Sequence, residues 1–331
     1  MPQPTIPSAW PSVVQSIFER AITTEYASLT GKLAPLTYPV TPYIGQAGTL
    51  DISTGLTYPT KAERARRNPK VALLYSDPVG SGLKKPPVVL VQGMAAVRDA
   101  DLQANTDRYI REGVRKLPEA YQGTPTFMLA RMPWYFVRIW IEVTPLRMLW
   151  WPDGDLAREP ESWQASPALA IPTSDPAPQG KTPGKWTEGA SDWRPGMRLA
   201  LEQLGHPVLT TVDTDGYPLP RRVCRATMTG EQLSFDLPAG LPTPADGPAC
   251  LTFHTHPEAF TGQQNMVFSG QIQNEHFLPE KQLGDWSLAG SKLQAMWTFM
   301  SNGRKLAPRL KQEAQRRGQP VPKIKTGLFR G

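Results

Sequence analysis

The spacing of prolines in the middle of the chain limits how much of it can form one continuous domain. Eight prolines lie from Pro152 to Pro195, in a stretch with little apolar periodicity. Proline fixes φ and removes a backbone donor, so a dense series of prolines interrupts both helices and sheets. We predict an extended linker over residues 152–195. It would separate a first domain (1–151) from a second (196–302), each long enough to bury a core of its own.

Strand-like patterns outnumber helical ones on both sides of this linker. They are short, rich in β-branched and aromatic residues, and bounded by Gly, Pro or Asp. No alternation of strand and helix runs through either domain, which argues against a doubly wound parallel sheet. We predict a mainly β (α+β) protein of two tandem antiparallel barrels with flanking helices. The strand-like runs cover residues 26–29, 36–43, 50–54, 71–75, 88–97, 134–143, 207–212, 222–228, 232–237, 249–254 and 266–272.

Composition excludes several classes of protein. No run approaches eighteen apolar residues, so we predict no membrane helix. The first residues lack the pattern of a signal peptide. Two cysteines, Cys224 and Cys250, do not make a disulfide framework or a zinc site, and both lie in apolar strands without an activating base. We therefore expect a reduced, cytoplasmic protein.

The positive charge is concentrated near the C-terminus. The formal net charge is +7, but residues 303–331 contain nine basic residues and one acid, so the rest of the chain carries −1. A nucleic-acid-binding protein more often has a basic face within its folded body, so this distribution does not favour nucleic acid. We expect a solvated basic tail, or one that packs over the second domain through Leu328 and Phe329. Contact with nucleic acid or anionic lipid is the alternative.

The stretch from Leu50 to Asp77 contains a candidate phosphate site. A strand ends near Thr54, a loop of hydroxyl residues reaches Thr60, and Lys61 begins a basic helix that continues through Arg64. Free amides and the dipole at a helix N-terminus favour an anion, and a neighbouring lysine adds charge. The alternative is an ordinary helix with a solvated basic face.

This stretch resembles the pyridoxamine 5′-phosphate oxidase-like, FMN-binding split-barrel superfamily. The sequence VLVQGMA at 89–95 is similar to the family's glycine-containing strand, and residues 134–150 are similar to its closing strands. In the second domain, GHPVLTTVDTDGYPLPRRV and FSGQI are similar to the same hairpin and strand. The family binds its flavin between two barrels of a homodimer. The resemblance therefore implies two split barrels that form a pseudo-dimer within one chain, with a further homodimer possible.

The resemblance also implies cofactor-binding positions, and these do not all lie in the first domain. Thr54, Thr60 and Lys61 match the phosphate-binding positions, with Arg64 one helical turn further on. The family's strand arginine is missing from the first domain, and Arg222 in the second could replace it across the interface. The second domain has no Thr-Lys loop at residues 237–244, so we expect at most one cofactor site per chain. Two further residues match positions that approach the flavin ring, namely Thr41 and Gln92.

The function implied by the resemblance is FMN-dependent oxidation or reduction of a small-molecule substrate, with a nicotinamide as a possible electron donor. Relatives bind a deazaflavin coenzyme or haem, so both cofactors stay open. A non-catalytic flavin-binding or sensing protein is the alternative from another class. The residues identify no catalytic acid or base.

Two histidines lie close together at the end of a strand-like run. His254 and His256 alternate along a strand and would share a face. A metal site would need Glu258 or His276 as a third ligand, and no established spacing supports one. We predict no metal, and interpret the pair as structural or as part of a pocket wall.

Overall fold

The computed structural model describes residues 10–122, 124–181, 190–287 and 292–330, with side chains for all of these except 285–302 and 304. Its strands form two antiparallel sheets, one in each half of the chain. The first contains β1 (Thr24–Leu29), β2 (Pro35–Val40), β3 (Pro42–Ile44), β4 (Leu50–Gly55), β5 (Lys70–Tyr75), β6 (Val88–Arg98), β7 (Arg138–Trp151) and β8 (Glu161–Gln164). The second contains β9 (Val208–Val212), β10 (Pro218–Arg222), β11 (Arg225–Thr229), β12 (Gln232–Asp236), β13 (Gly247–Thr255), β14 (Gln264–Gln273) and β15 (His276–Ser287).

Helices flank both sheets, and most of them belong to the first half. Four of the helices, α3 to α6, are inserted between β6 and β7, whereas a turn of two residues connects the corresponding strands β14 and β15. The helices are α1 (Gln15–Arg20), α2 (Thr60–Arg67), α3 (Leu102–Lys116), α4 (Pro118–Tyr121), α5 (Thr126–Leu129), α6 (Pro133–Phe136), α7 (Arg194–Gln203) and α8 (Lys292–Arg316).

The two sheets have the same topology. The first runs β2-β1-β5-β6-β7-β4-β3, with β8 added beside β7, and the second runs β10-β9-β13-β14-β15-β12-β11. When each half is numbered from its own first strand, both orders read 2-1-5-6-7-4-3. This confirms the predicted tandem split-barrel, mainly β architecture.

A glycine occupies the same bulge in both sheets. The register shifts beside Gly93 in β6 and beside Gly270 in β14. A Cβ atom at Gly93 would lie 2.3 Å from the Thr144 carbonyl oxygen, and one at Gly270 would lie 2.1 Å from that of Leu278. Only glycine allows the neighbouring strand to approach this closely. The glycine-containing strands that the sequence indicated in both domains are thus structural equivalents.

The two barrels meet at a reciprocal interface, which we call the seam. Strand β2 packs on β9, β13 and β14 of the second barrel, and its counterpart β10 packs on β1, β5 and β6 of the first. The Thr37 and Thr210 hydroxyls lie 2.6 Å apart there, and the Thr252 hydroxyl donates to the Thr37 carbonyl at 3.0 Å. Such reciprocity is what a two-fold interface between identical subunits requires.

The C-terminal segment packs on the first barrel, so the expectation that it would cover the second was wrong. Leu310 and Ala314 of α8 are buried in the first hydrophobic core, and Phe329 packs against Phe136. Acidic side chains of the first barrel form ion pairs with basic residues of the C-terminal segment, which explains why the segment packs on that barrel. The boundaries 1–151, 152–195, 196–302 and 303–331 stay predictions. Strand β8, which lies in the predicted linker, and the C-terminal segment both join the first barrel.

The described part of the chain contains no helix that combines the length and the apolar character needed to cross a membrane.

Candidate functional site

Helix α2 and the loop before it form one compact unit on the first barrel. The amide of Leu56 donates to the Val137 carbonyl at 2.9 Å, which ties the loop to the start of β7. The hydroxyl of Thr54 donates to the Tyr58 carbonyl at 3.0 Å, and Thr60, the first residue of α2, is exposed. Thr54 therefore shapes the loop, while Thr60 faces solvent at the N-terminus of the helix.

The orientation of α2 follows from its small apolar residues. Ala62 and Ala65 are buried in the first core, which turns Lys61 and Arg64 toward the edge strand β2. The Lys61 Nζ lies 4.8 Å from the centre of the Tyr38 ring, and the Arg64 guanidinium carbon lies 5.8 Å from it. Arg64 also donates through Nε to the Ser28 hydroxyl at 3.1 Å.

A third cation, Arg138 at the start of β7, completes a group that we call the cationic cluster: Lys61, Arg64 and Arg138. Burial, together with the positive charges of Arg64 and Arg138, lowers the pKa of Lys61 to about 8. The Arg138 guanidinium lies over the rings of Tyr109 and Tyr135, at 4.2 and 5.0 Å, and donates to the Tyr109 hydroxyl at 3.0 Å.

The cationic cluster lacks negative charge. Within the described residues, no carboxylate lies within ion-pair distance of Lys61, Arg64 or Arg138. Two donors in the cluster, Arg64 Nη2 and Arg138 Nε, are buried without a hydrogen-bond partner. Like charges and unsatisfied buried donors both cost free energy, so an anion at this position would be stabilising.

The described side chains of the second barrel form no equivalent cluster. Counting strand positions from the glycine of each bulge, Arg221 occupies the position that Tyr38 occupies in the first barrel. Arg221 is buried and donates to the Thr211 hydroxyl at 2.7 Å and to the Pro242 carbonyl at 3.1 Å. Burial lowers its pKa to about 10. The arginine thus fastens the loop that stands in place of α2.

Arg222 points to the seam. Its Nη1 lies 3.7 Å from Oε1 of Glu25, a fully buried carboxylate that also accepts from the Ser76 hydroxyl at 2.6 Å. Nε2 of His254 lies 2.8 Å from the same oxygen. Burial raises the pKa of Glu25, but the hydrogen bond and charge of His254 and the charge of Arg222 outweigh it, so the pKa is lowered overall. The structure therefore does not bring Arg222 to the cationic cluster.

The two histidines of the sequence pair also lie at the seam. Nδ1 of His254 and Nε2 of His256 lie 3.8 and 3.6 Å from Oδ2 of Asp77. His276, considered as a third metal ligand, contacts the Ser234 hydroxyl instead. No group of three or more metal-ligating side chains with suitable geometry occurs among residues whose side chains are described.

Gln92 lies in a different part of the seam. Its amide nitrogen donates to Asp213 at 2.9 Å and to the Pro218 carbonyl at 2.8 Å, and its oxygen accepts from Arg147 Nε at 2.5 Å. It lines an inter-barrel cleft of about 230 Å³ together with the linker residue Trp163. Thr41, half-buried, lies between β2 and β3.

Of the residues indicated by sequence, the structure thus groups Thr54, Thr60, Lys61 and Arg64 around α2, and holds Gln92 and Arg222 in other contacts. Sequence reasoning missed Arg138. Its only local signal is its position at the start of an aromatic strand, and its neighbours Tyr109 and Tyr135 come from the insertion between β6 and β7.

No protein-family model matches the chain, and the search of curated proteins found no match. Solved structures that match this chain include an F420 reductase. The TM-score is 0.31 and the identity is 18%, over 42% of this chain and 98% of the reductase chain. A pyridoxamine 5′-phosphate oxidase-related, FMN-binding protein from Nostoc punctiforme PCC 73102 gives a TM-score of 0.31 and 10% identity over 47% and 94%.

A NimC/NimA family protein from Clostridium acetobutylicum gives a TM-score of 0.30 and 13% identity, and covers 47% of this chain and 95% of that chain. Scores and identities this low carry no argument about function, and the fold rests on the chain's own strand order. By that order, repeated in two sheets with a glycine bulge at the same position in each, the chain is a tandem split-barrel protein.

Proposed function

We propose that the chain is an FMN- or deazaflavin-dependent oxidoreductase of the pyridoxamine 5′-phosphate oxidase-like family. The anionic end of the cofactor would lie at helix α2, and its ring would extend along the seam between the barrels. The observation that carries the proposal is the cationic cluster: it holds three positive charges, pairs with no carboxylate of the residues whose side chains are described, and contains two buried donors without partners.

The cluster fits a phosphate group. A phosphate carries nearly two negative charges at neutral pH and several strong acceptor oxygens, so it can satisfy Arg64 Nη2 and Arg138 Nε while it offsets the repulsion around Lys61. A deazaflavin coenzyme with a longer anionic tail could use the same three cations. When bound, either cofactor supplies hydride transfer. The chain's own residues bind the anionic end, orient it against Tyr38 and exclude water.

One cofactor per chain is the expected stoichiometry. In the second barrel, Arg221 donates to the loop that replaces α2, so its charge is engaged within the fold. The cleft beside that loop is lined by Arg147, Asp213 and Asp215, whose opposite charges pair with one another. Arg221 is thus a single cation whose Nη1 and Nη2 already donate to neutral acceptors, and the charges that line the cleft pair with one another, so we expect no second phosphate site.

The reaction partners follow from the family resemblance alone: a small-molecule substrate and a reduced nicotinamide as electron donor. A further homodimer has the same support, whereas the cytoplasmic location is proposed from the cysteine content of the sequence. The rival is a flavin-binding or sensing protein without turnover. Steady-state oxidation of a reduced nicotinamide in the presence of an acceptor would separate the enzyme from the sensor.

The test is an absorbance spectrum of the purified protein, with mass analysis of any compound released on denaturation. Bands at about 370 and 450 nm with released FMN support the flavin, and a single band at about 420 nm with a polyglutamyl compound supports the deazaflavin. A Soret band with released haem would contradict the proposal. So would a colourless protein that takes up neither FMN nor the deazaflavin coenzyme.

The residue-level test is Lys61→Ala. Loss of one charge-assisted phosphate contact is expected to weaken cofactor affinity by about tenfold or more. Lys32→Ala, which removes the same charge from an exposed turn, is the matched control and should bind like the parent protein. Equal affinities for Lys61→Ala and the parent would remove Lys61 from the site.

A further inference from the structure

The C-terminal residues 303–330, which we call the tail segment, cross from the second barrel to the first. Helix α8 follows β15 in the chain, yet Leu310 and Ala314 are buried in the same core as Ala62 and Ala65 of α2. The segment therefore shares a core with the apolar face of the helix that carries Lys61 and Arg64, although about 250 residues separate the two in sequence.

Polar contacts fix the loop that precedes α2. Nε of Arg309 donates to the Thr57 carbonyl at 2.6 Å. Thr57 itself is fully buried, and its hydroxyl reaches the Trp134 carbonyl at 3.4 Å. Burial raises the pKa of the neighbouring Tyr58 to about 12, against an opposing effect of the Arg309 charge. The loop is thus held from the side of the tail segment.

Further ion pairs hold α2 itself. Arg317 is almost fully buried, and its Nη2 lies 3.4 Å from Glu63 of α2. Its Nε donates to Asp99 at 2.8 Å, and the other oxygen of Asp99 accepts from Arg66 of α2 at 2.8 Å. Glu313, also fully buried, completes the network by accepting from Arg317 at 2.6 Å. The tail segment therefore holds α2 directly through the Arg317–Glu63 pair and indirectly through Asp99, which bridges Arg317 and Arg66.

Helix α2 needs such support for two reasons. It has only eight residues, and a helix this short is marginal in isolation. It also carries two of the three mutually repelling cations of the cationic cluster. External contacts must therefore offset both its low intrinsic stability and the repulsion.

We propose that the tail segment is a positioning element of the anion site, with Arg309 as its principal positioning residue. Arg309 holds the Thr57 loop so that the N-terminus of α2 and Lys61 keep the geometry that a phosphate requires. This inference rests on the proposed function. It explains why so many basic residues are concentrated in residues 303–331: part of that charge is structural and acts on the site through Thr57 and Glu63.

The test compares ligands with and without phosphate in the full chain. Arg309→Met should weaken FMN binding by about tenfold, because the positioned phosphate contacts are lost. It should leave the weaker binding of riboflavin, which lacks the phosphate, unchanged. Arg309→Lys, which can still donate to the Thr57 carbonyl, should recover part of the loss. Lys311→Met removes a charge from an exposed position of the same helix and should bind both ligands normally.

The outcomes separate this inference from the proposed function. Equal losses of FMN and riboflavin binding in Arg309→Met would indicate general destabilisation and overturn the positioning role. Unchanged FMN binding in that variant would overturn it as well, while leaving the proposed function intact. If the parent chain binds neither FMN nor pyrophosphate, used as a minimal anionic probe, the anion site itself fails and both conclusions fall.

Discussion

Replacing Lys61 by methionine should stabilise the ligand-free protein while it weakens ligand binding. Lys61 is charged at neutral pH, only partly exposed, and without a carboxylate partner within ion-pair distance among the described residues. Methionine has a similar length and keeps the aliphatic contacts without the charge. The native protein therefore tolerates an unfavourable group whose benefit is realised only when an anion binds.

The magnitude follows from the pKa. A fall from the ordinary 10.5 to about 8 corresponds to roughly 3 kcal/mol of unfavourable charging in the fold at neutral pH. Solvent screens part of this because the side chain is not fully enclosed, so we expect a gain of about 1–2 kcal/mol for Lys61→Met. That gain is large enough to move a urea midpoint measurably.

The pH dependence gives the sharper test. The folded protein binds fewer protons at Lys61 than the unfolded chain does between pH 8 and 10.5. The stability of the parent therefore rises with pH across this window. The advantage of Lys61→Met should be complete below about pH 8 and vanish above about pH 10.5. Urea unfolding at several pH values measures it. A variant that is less stable than the parent at neutral pH, or an advantage independent of pH, would refute the reasoning.

Three further outcomes are expected. FMN affinity, followed by calorimetry, should fall as the pH rises through about 8, because Lys61 of the free protein loses its charge there. Glu25→Gln should cost about 2–4 kcal/mol at neutral pH, since it leaves the charge of Arg222 at the seam without its carboxylate partner. The cost should shrink in acid as the lowered pKa of the parent carboxyl is passed. Gly270→Ala should lower the free energy of unfolding in urea by about 1–3 kcal/mol, because the new Cβ would lie 2.1 Å from the Leu278 carbonyl oxygen. The control Gly284→Ala should be nearly neutral, because no atom lies within 4 Å of its Cβ position.

The features predicted correctly from sequence are those with local signals. Short β-rich runs bounded by turn residues give the strands, and the glycine-containing strands that the resemblance indicated are the ones that carry the bulge in each sheet. The start of α2 is also local: an apolar strand, a hydroxyl-rich loop and a run of basic residues. Lys61 and Arg64 could therefore be identified as neighbours without any knowledge of the tertiary structure.

The choice between Arg221 and Arg222 shows where sequence reasoning stops. Adjacent residues of a strand point to opposite faces, so one arginine faces the barrel interior and the other faces the seam. Only the register decides which is which, and a shift of one residue would exchange them. The resemblance favoured Arg222 as a cofactor ligand, whereas the observed register directs it to Glu25. Its role in cofactor binding stays a prediction.

Long-range contacts account for what the sequence did not reveal. Arg138 joins the cationic cluster beside tyrosines of α3 and α6, and nothing in their spacing relates them to Lys61. Trp134, predicted to begin a strand, lies instead in the helical turn α6, which starts at Pro133. Similarly, the basic tail segment looked solvated because its acidic partners Glu63 and Asp99 lie more than two hundred residues away.

The central claim is that one anionic cofactor binds each chain at the cationic cluster. Titration of the ligand-free protein with FMN and with the deazaflavin coenzyme, monitored by calorimetry, tests it most directly. The account predicts saturation by one of these at a single molecule per chain, with a dissociation constant raised by about tenfold or more in Lys61→Ala. Failure of both cofactors to bind, saturation at two equivalent sites, or an affinity unaffected by Lys61→Ala would contradict it.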